Sequence, residues 1–149
     1  MKQRLVIGYG NTLRRDDGVG VKAAEAIDAM SLPGVKVITR HQLVPELAMP
    51  ISEADEVIFV DADITGKSEV ALKAVEPADS TQIMAHAANP SSLLALAKQV
   101  FGNSPRAWAL PVPVCDLGFG SRLSSRSRRG LRAAVKLMER QFADLPKIA

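Results

Sequence analysis

The chain has 149 residues and a formal net charge of +3, with 47% hydrophobic, 23% charged and only 4% aromatic residues. That length fits one domain over residues 1–149, burying roughly 70% of its unfolded surface around an aliphatic core. Mild basicity without interleaved aromatics argues against a nucleic-acid partner. A single cysteine, Cys115, excludes an internal disulfide and a cysteine-rich metal cluster. The apolar run after Met1-Lys2-Gln3-Arg4 is too short for a signal peptide or a membrane span, so a cytoplasmic protein is expected.

Leu5-Val6-Ile7 runs into Gly8 and reads as a strand buried on both faces, as in a parallel sheet. Val19, Ala23, Ile27 and Met30 recur at helical spacing and predict a helix over 18–30. Beyond the Pro33-Gly34 turn signal, Val35-Lys36-Val37-Ile38 is the second strand. Residues 45–54 read as a helix shortened or kinked by Pro50. Val57-Ile58-Phe59-Val60 is a third strand, apolar on both faces and ending at Asp61. Residues 70–75 alternate and predict a fourth strand, antiparallel at an edge. Asn89 suits a cap and Pro90 a first helical position; Leu93, Ala97, Val100 and Phe101 give that helix an apolar face, and Gly102 ends it. Trp108-Ala109-Leu110 opens a fifth strand, which Pro111 and Pro113, lacking amide donors, should end or confine to an edge. Residues 115–127 are the least regular and are expected to form a mobile surface loop. The last helix should start near Ser124 or Ser125 and carry a stripe of Leu131, Ala134, Val135, Met138, Phe142 and Leu145. Alternating strands and helices predict a single-domain α/β protein, a three-layer α/β/α sandwich around a mostly parallel sheet.

Three segments carry chemistry. Gly8-Tyr9-Gly10-Asn11-Thr12-Leu13-Arg14-Arg15-Asp16-Asp17-Gly18-Val19-Gly20 joins a strand to a helix. Leu13 occupies the third glycine position of a dinucleotide fingerprint, and the loop's acids would repel a phosphate and attract a cation. The plainer alternative is that Asp16 or Asp17 caps the helix and complements its dipole. Asp61-Ala62-Asp63 lies at the carboxyl end of the third strand, where open α/β sheets gather functional groups; its alternative is a solvated turn. His86 precedes Asn89-Pro90 and is one of only two histidines, and a satisfied surface histidine is its alternative. Together Asp17, Asp61 and His86 form an O/O/N set with open positions, which suits a first-row metal. Cys115 has no basic partner in the sequence and reads as a packed or incidental thiol, in preference to a nucleophile. Arg129, Arg132, Lys136 and Arg140 flank the last helix's apolar stripe as solvated surface, with a dock for an acidic partner as the weaker alternative.

These blocks resemble those of the [NiFe]-hydrogenase maturation proteases. Gly8-Tyr9-Gly10-Asn11 with Asp16-Asp17-Gly18-Val19-Gly20 is similar to the family's N-terminal signature, and Phe59-Val60-Asp61-Ala62 to its second block. His86 with Asn89-Pro90 and Leu93-Leu94-Ala95-Leu96-Ala97 resembles the third, and Gly120-Ser121-Arg122-Leu123-Ser124 the stretch before the final helix. The resemblance spans most of the chain in order. It implies a sheet of roughly five strands. It also implies an endopeptidase that removes a short C-terminal extension from the hydrogenase large-subunit precursor after nickel insertion. Asp17, Asp61 and His86 fall on the family's metal ligands. Nickel would be supplied by or shared with the precursor, with zinc as a surrogate, and the protein would act as a monomer. No catalytic group is separable from these ligands: the metal either activates water or only positions the peptide. The rival expectation is a nickel-binding checkpoint without cleavage. Where many members carry an Asp-Gly-Gly-Thr-like segment, this chain has Arg40-His41-Gln42-Leu43-Val44-Pro45-Glu46-Leu47. That resembles the branch serving NAD-linked bidirectional hydrogenases. Following a strand parallel to the first, His41 and Gln42 are expected at the sheet edge that holds ligands and are read as substrate-recognition residues; the alternative is an ordinary strand-to-helix connection with Glu46 complementing the helix N-terminus.

Overall fold

The computed structural model describes residues 2–79 and 88–143. Strands β1 (Arg4–Tyr9), β2 (Val35–Arg40), β3 (Glu56–Asp63), β4 (Lys73–Ala74) and β5 (Arg106–Pro113) form one sheet in the order β2-β1-β3-β5-β4. The first three and β5 are mutually parallel, and β4 is antiparallel to β5. The helices are α1 (Val19–Ala29), α2 (Ala48–Glu53), α3 (Pro90–Phe101) and α4 (Ser125–Phe142).

Side chains alternate across a strand, so two adjacent apolar residues need a hydrophobic layer on each side. Val6, Ile58, Val60, Leu110 and Val112 pack with Val19, Ala23 and Ile27 of α1 and Ala134, Val135 and Met138 of α4. Leu5, Ile7, Val57 and Phe59 pack with Ala48 and Ile51 of α2 and Leu93, Leu94 and Ala97 of α3. The result is the expected α/β/α sandwich. Burial of side chains such as Phe59 and Ile58, both at 0% exposure, stabilises the fold by roughly 1.5–3 kcal/mol each.

The chain leaves β1 toward β2 and returns past it to β3, so its direction reverses between β1 and β3. A crevice therefore opens beyond their carboxyl ends. Two glycines bring α1 onto that edge. A Cβ on Gly20 would lie 2.4 Å from the Val60 carbonyl oxygen, and one on Gly8 would lie 2.3 Å from that of Gly20. At the opposite end of the sheet, buried Arg4 donates from Nε to Glu56 Oε1 at 3.3 Å. Trp108 Nε1 and Gln141 Nε2 donate to Glu56 Oε2 at 2.8 and 2.7 Å. These bonds tie the end of α4 to the sheet.

Several elements differ from expectation. The strand expected to end at Asp61 continues to Asp63, because Asp61, Ala62 and Asp63 stay in register with Pro111, Val112 and Pro113. The fourth strand is only Lys73–Ala74. The fifth runs through both prolines. Val114 donates its amide to Asp63 on β3, so by alternation the missing amides of Pro111 and Pro113 face the other side, beyond the reach of β4. Pro50 falls in the first turn of α2, where its absent donor costs little, and a short 3-10 turn over Pro45–Leu47 precedes it. Helix α3 has the expected Asn89 cap, Pro90 start and left-handed Gly102. Ser124 caps α4 by accepting from the Ser127 amide. Leu145 lies outside the described residues.

Candidate functional site

The loop after β1 curls into a 3-10 turn over Arg15–Gly18 before α1. Neither acid caps α1 through its side chain, which corrects the plainer reading. The two point to different tasks.

Asp16 is fully buried. Its Oδ2 accepts from the Cys115 amide at 3.0 Å, the Asp116 amide at 3.0 Å and the Ser124 hydroxyl at 2.7 Å. Its Oδ1 accepts from the Ser124 amide at 2.7 Å. Burial pushes its pKa up, but these bonds outweigh burial and hold the carboxyl below the usual range. The segment expected to be a mobile loop is therefore anchored to the first loop. Arg15 N to Gly120 O (2.8 Å), Gly120 N to Leu13 O (2.9 Å) and Asp16 N to Asp116 O (2.9 Å) add backbone bonds between them.

Asp17 is partly buried and its Oδ2 accepts from the Asn11 amide at 2.8 Å. Asp61 emerges from β3 one strand away, and its Oδ2 accepts from the Tyr9 hydroxyl at 3.1 Å. Tyr9 follows Gly8, the last residue of β1 paired with β3, and so faces Asp61 across the crevice. Burial, reinforced by the negative charges of Asp17 and Asp63, pushes the Asp61 carboxyl up to about 6, against the opposing hydrogen bonds from Tyr9 and Ala62. The Tyr9 hydroxyl is raised well above its ordinary value, by burial first and then by Asp61. Asp63 is a separate case. Its oxygens accept from Thr65 and Ser68, which hold its carboxyl far below the usual range and close the turn after β3.

The structure thus brings Asp17 and Asp61 to one edge, close enough for each charge to oppose the other. A cation between them would relieve that repulsion, and carboxylate oxygens are suitable donors for a divalent ion. The third expected ligand, His86, lies outside the described residues. Among the described residues no three His, Cys, Asp or Glu side chains converge to hold a metal. His41 follows β2 at the same edge and lines a groove of about 210 Å³ with Gly10, Thr12, Val21, Thr39 and Arg40. Gln42 is exposed and lies outside that lining. Cys115 is exposed, with its Sγ 3.4 Å from the Ser124 hydroxyl, which is no base. Tyr9 and Asn11 are additions to the sequence-derived set. Tyr9's place at the end of a strand opposite Asp61 was the available signal.

No protein-family model matches the chain, and no curated protein matches it. Solved structures do share its architecture, and those named here are hydrogenase maturation peptidases. A hydrogenase 2 maturation peptidase from a Thaumarchaeota archaeon matches with a TM-score of 0.65 at 23% identity, over 94% of this chain and 97% of its own. The hydrogenase maturating endopeptidase HybD from E. coli matches with a TM-score of 0.68 at 19% identity, over 91% and 89%. The [NiFe] hydrogenase maturation protease HycI from Thermococcus kodakarensis matches with a TM-score of 0.67 at 21% identity, over 93% and 91%. At these identities the likeness shows a common fold. No helix among the described residues is long and apolar enough to cross a membrane.

Proposed function

We propose that this protein is a nickel-dependent endopeptidase that removes a short C-terminal extension from a [NiFe]-hydrogenase large-subunit precursor after nickel insertion, as a cytoplasmic monomer. The observation that carries the reading is the Asp17–Asp61 pair at the strand-reversal crevice of a fold shared with three hydrogenase maturation peptidases. Asp17 and Asp61 would hold the metal, with His86 as the third ligand. Bound there, nickel supplies Lewis-acid polarisation of the scissile carbonyl or of a water. The Tyr9 hydroxyl orients the Asp61 carboxylate, the Asn11 amide orients Asp17, and the groove beside His41 leads a peptide to them. A nickel-binding checkpoint without cleavage is the second reading.

Incubation with nickel-loaded precursor tests the proposal through the appearance of a shortened product. Asp17→Ala and His86→Ala should each slow processing by at least about 100-fold while the fold persists, since losing even an outer-shell metal partner acts on that scale. Nickel-free precursor should stay uncut. Binding of nickel or zinc without any shortened product would favour the checkpoint, and parental rates in a folded His86→Ala protein would overturn the ligand assignment.

We infer that the segment after β2 serves precursors of the NAD-linked branch, with His41 and Gln42 contacting the precursor. Exchanging residues 40–44 for an Asp-Gly-Gly-Thr-like segment should shift preference away from the NAD-linked precursor by roughly tenfold, the scale of one or two lost polar contacts. Unchanged rates on both precursors would leave the segment a structural role only.

A further inference from the structure

Seven large hydrophobic side chains are exposed among the described residues, and three of them lie on segments that follow β1, β3 and β5 at the carboxyl-end edge of the sheet. Leu13 (68% exposed) lies on the loop after β1, Ile64 (69%) follows β3, and Phe119 (94%) lies in the segment held by Asp16. Scattered exposed apolar residues are ordinary, but an aromatic ring almost wholly in water on an anchored loop is not.

The anchoring is specific. Phe119 sits between Gly118, whose amide donates to Asp116 Oδ1 at 3.0 Å, and Gly120, whose amide and carbonyl bond to Leu13 and Arg15. Arg15 reaches the segment, donating from Nε to the Arg122 carbonyl at 3.1 Å and pairing with Asp116, whose Oδ2 lies 3.2 Å from Nε. Its φ of 46° places a residue other than glycine in the left-handed region, a conformation that persists where the surroundings fix it. The ring is therefore presented from backbone that is already ordered. A partner that covers it need not supply that ordering, and this is how preorganisation raises affinity. Exposed Arg14 and Arg122 flank the apolar residues.

We propose that Phe119, supported by Leu13, is the anchor through which the hydrogenase large-subunit precursor docks, entering an apolar pocket on that protein's folded surface rimmed by carboxylates. The identity of the occupant rests on the functional reading above. The location fits that occupant: the loops bearing Leu13, Ile64 and Phe119 are continuous with those bearing Asp17, Asp61 and the Asp16 anchor. Any folded protein presenting a peptide at Asp17 and Asp61 must cover this rim. The arginines select acidic surroundings for the pocket. The extension to be removed and the body that docks are thus recognised at different places, the first in the crevice and the second on its rim.

The test measures precursor binding separately from cleavage, by titration calorimetry and by product formation. Phe119→Ser should leave the fold and nickel affinity unchanged and weaken precursor binding at least about tenfold, as for an aromatic anchor. KM should rise with little change in kcat. Phe101→Ser, which alters an exposed aromatic at the far end of α3, should change neither. Weakened binding in Phe119→Ser with no cleavage even by the parent would uphold the dock and sink the peptidase reading. Unchanged binding, or no precursor binding by the parent, would overturn the dock. So would a dimer of the parent in sedimentation that Phe119→Ser abolishes, because the occupant would then be a second copy.

Discussion

Asp16→Ala is expected to lower the unfolding free energy by about 4 kcal/mol at pH 7. The carboxylate receives four hydrogen bonds from Cys115, Asp116 and Ser124 in a fully buried position. Bonds to a charged acceptor are stronger than neutral ones, and truncation leaves their donors without a partner. Asp16→Asn should fare little better, since its amide nitrogen would face a donor. The carboxyl is held below its ordinary pKa, so its contribution is full above about pH 4 and disappears as pH falls through the lower folded-state value. Urea unfolding of parent and variant should therefore show a wide gap at pH 7 that narrows toward pH 3. A gap below about 1 kcal/mol at pH 7 would mean that the four bonds contribute little beyond what water replaces.

Asp61→Asn should act in the opposite direction. Burial raises the Asp61 carboxyl to about 6, with Asp17 and Asp63 contributing, so the folded state takes up its proton more readily than the unfolded chain. The ionised carboxylate therefore opposes folding above about pH 6, and this penalty is absent below the unfolded value near 4. With metal removed by chelator, the asparagine protein should be more stable by about 2 kcal/mol at pH 8, after allowance for partial solvent screening, and equal to the parent near pH 3. The asparagine oxygen can still accept from Tyr9. Nickel binding and processing should both be lost. A variant less stable than the parent at pH 8 would show that the Asp61 charge is already compensated by its hydrogen bonds. The expected exchange of stability for function is typical of residues kept for chemistry.

Local signals in the sequence revealed much of this. Apolar doublets fixed β1 and β3 as strands buried on both faces, and Asn89, Pro90, Gly102 and Ser124 marked helix ends because capping depends on residues within one turn. The stripe of α4 was legible through its period. Tertiary partners were not. Asp16 looked like a helix cap because its acceptors' demand comes from Cys115, Asp116 and Ser124, about a hundred positions away. β3 was cut short because Asp61 and Asp63 are polar, although Ala62 between them is buried and the strand pairs to its end. Asp17 and Asp61 were legible as a pair because strand ends in a parallel sheet share an edge; Tyr9 was missed because its partner, Asp61, is 52 positions away and meets it only across the sheet.

Pro111 and Pro113 have a consequence for association. Among the described residues Lys73 and Ala74 pair with β5 on the side away from β3, and the Val75 amide adds a bond to the Ala107 carbonyl at 3.0 Å. An open margin of that kind invites another chain to add a strand and start an aggregate. Past Ala109, alternate amides that an incoming strand would need are missing, because both prolines aim their nitrogens at that margin. Covalent structure thus removes two of the donors through which this margin of β5 could add a strand. Replacing both prolines would restore the donors and make this margin a better template for an added strand.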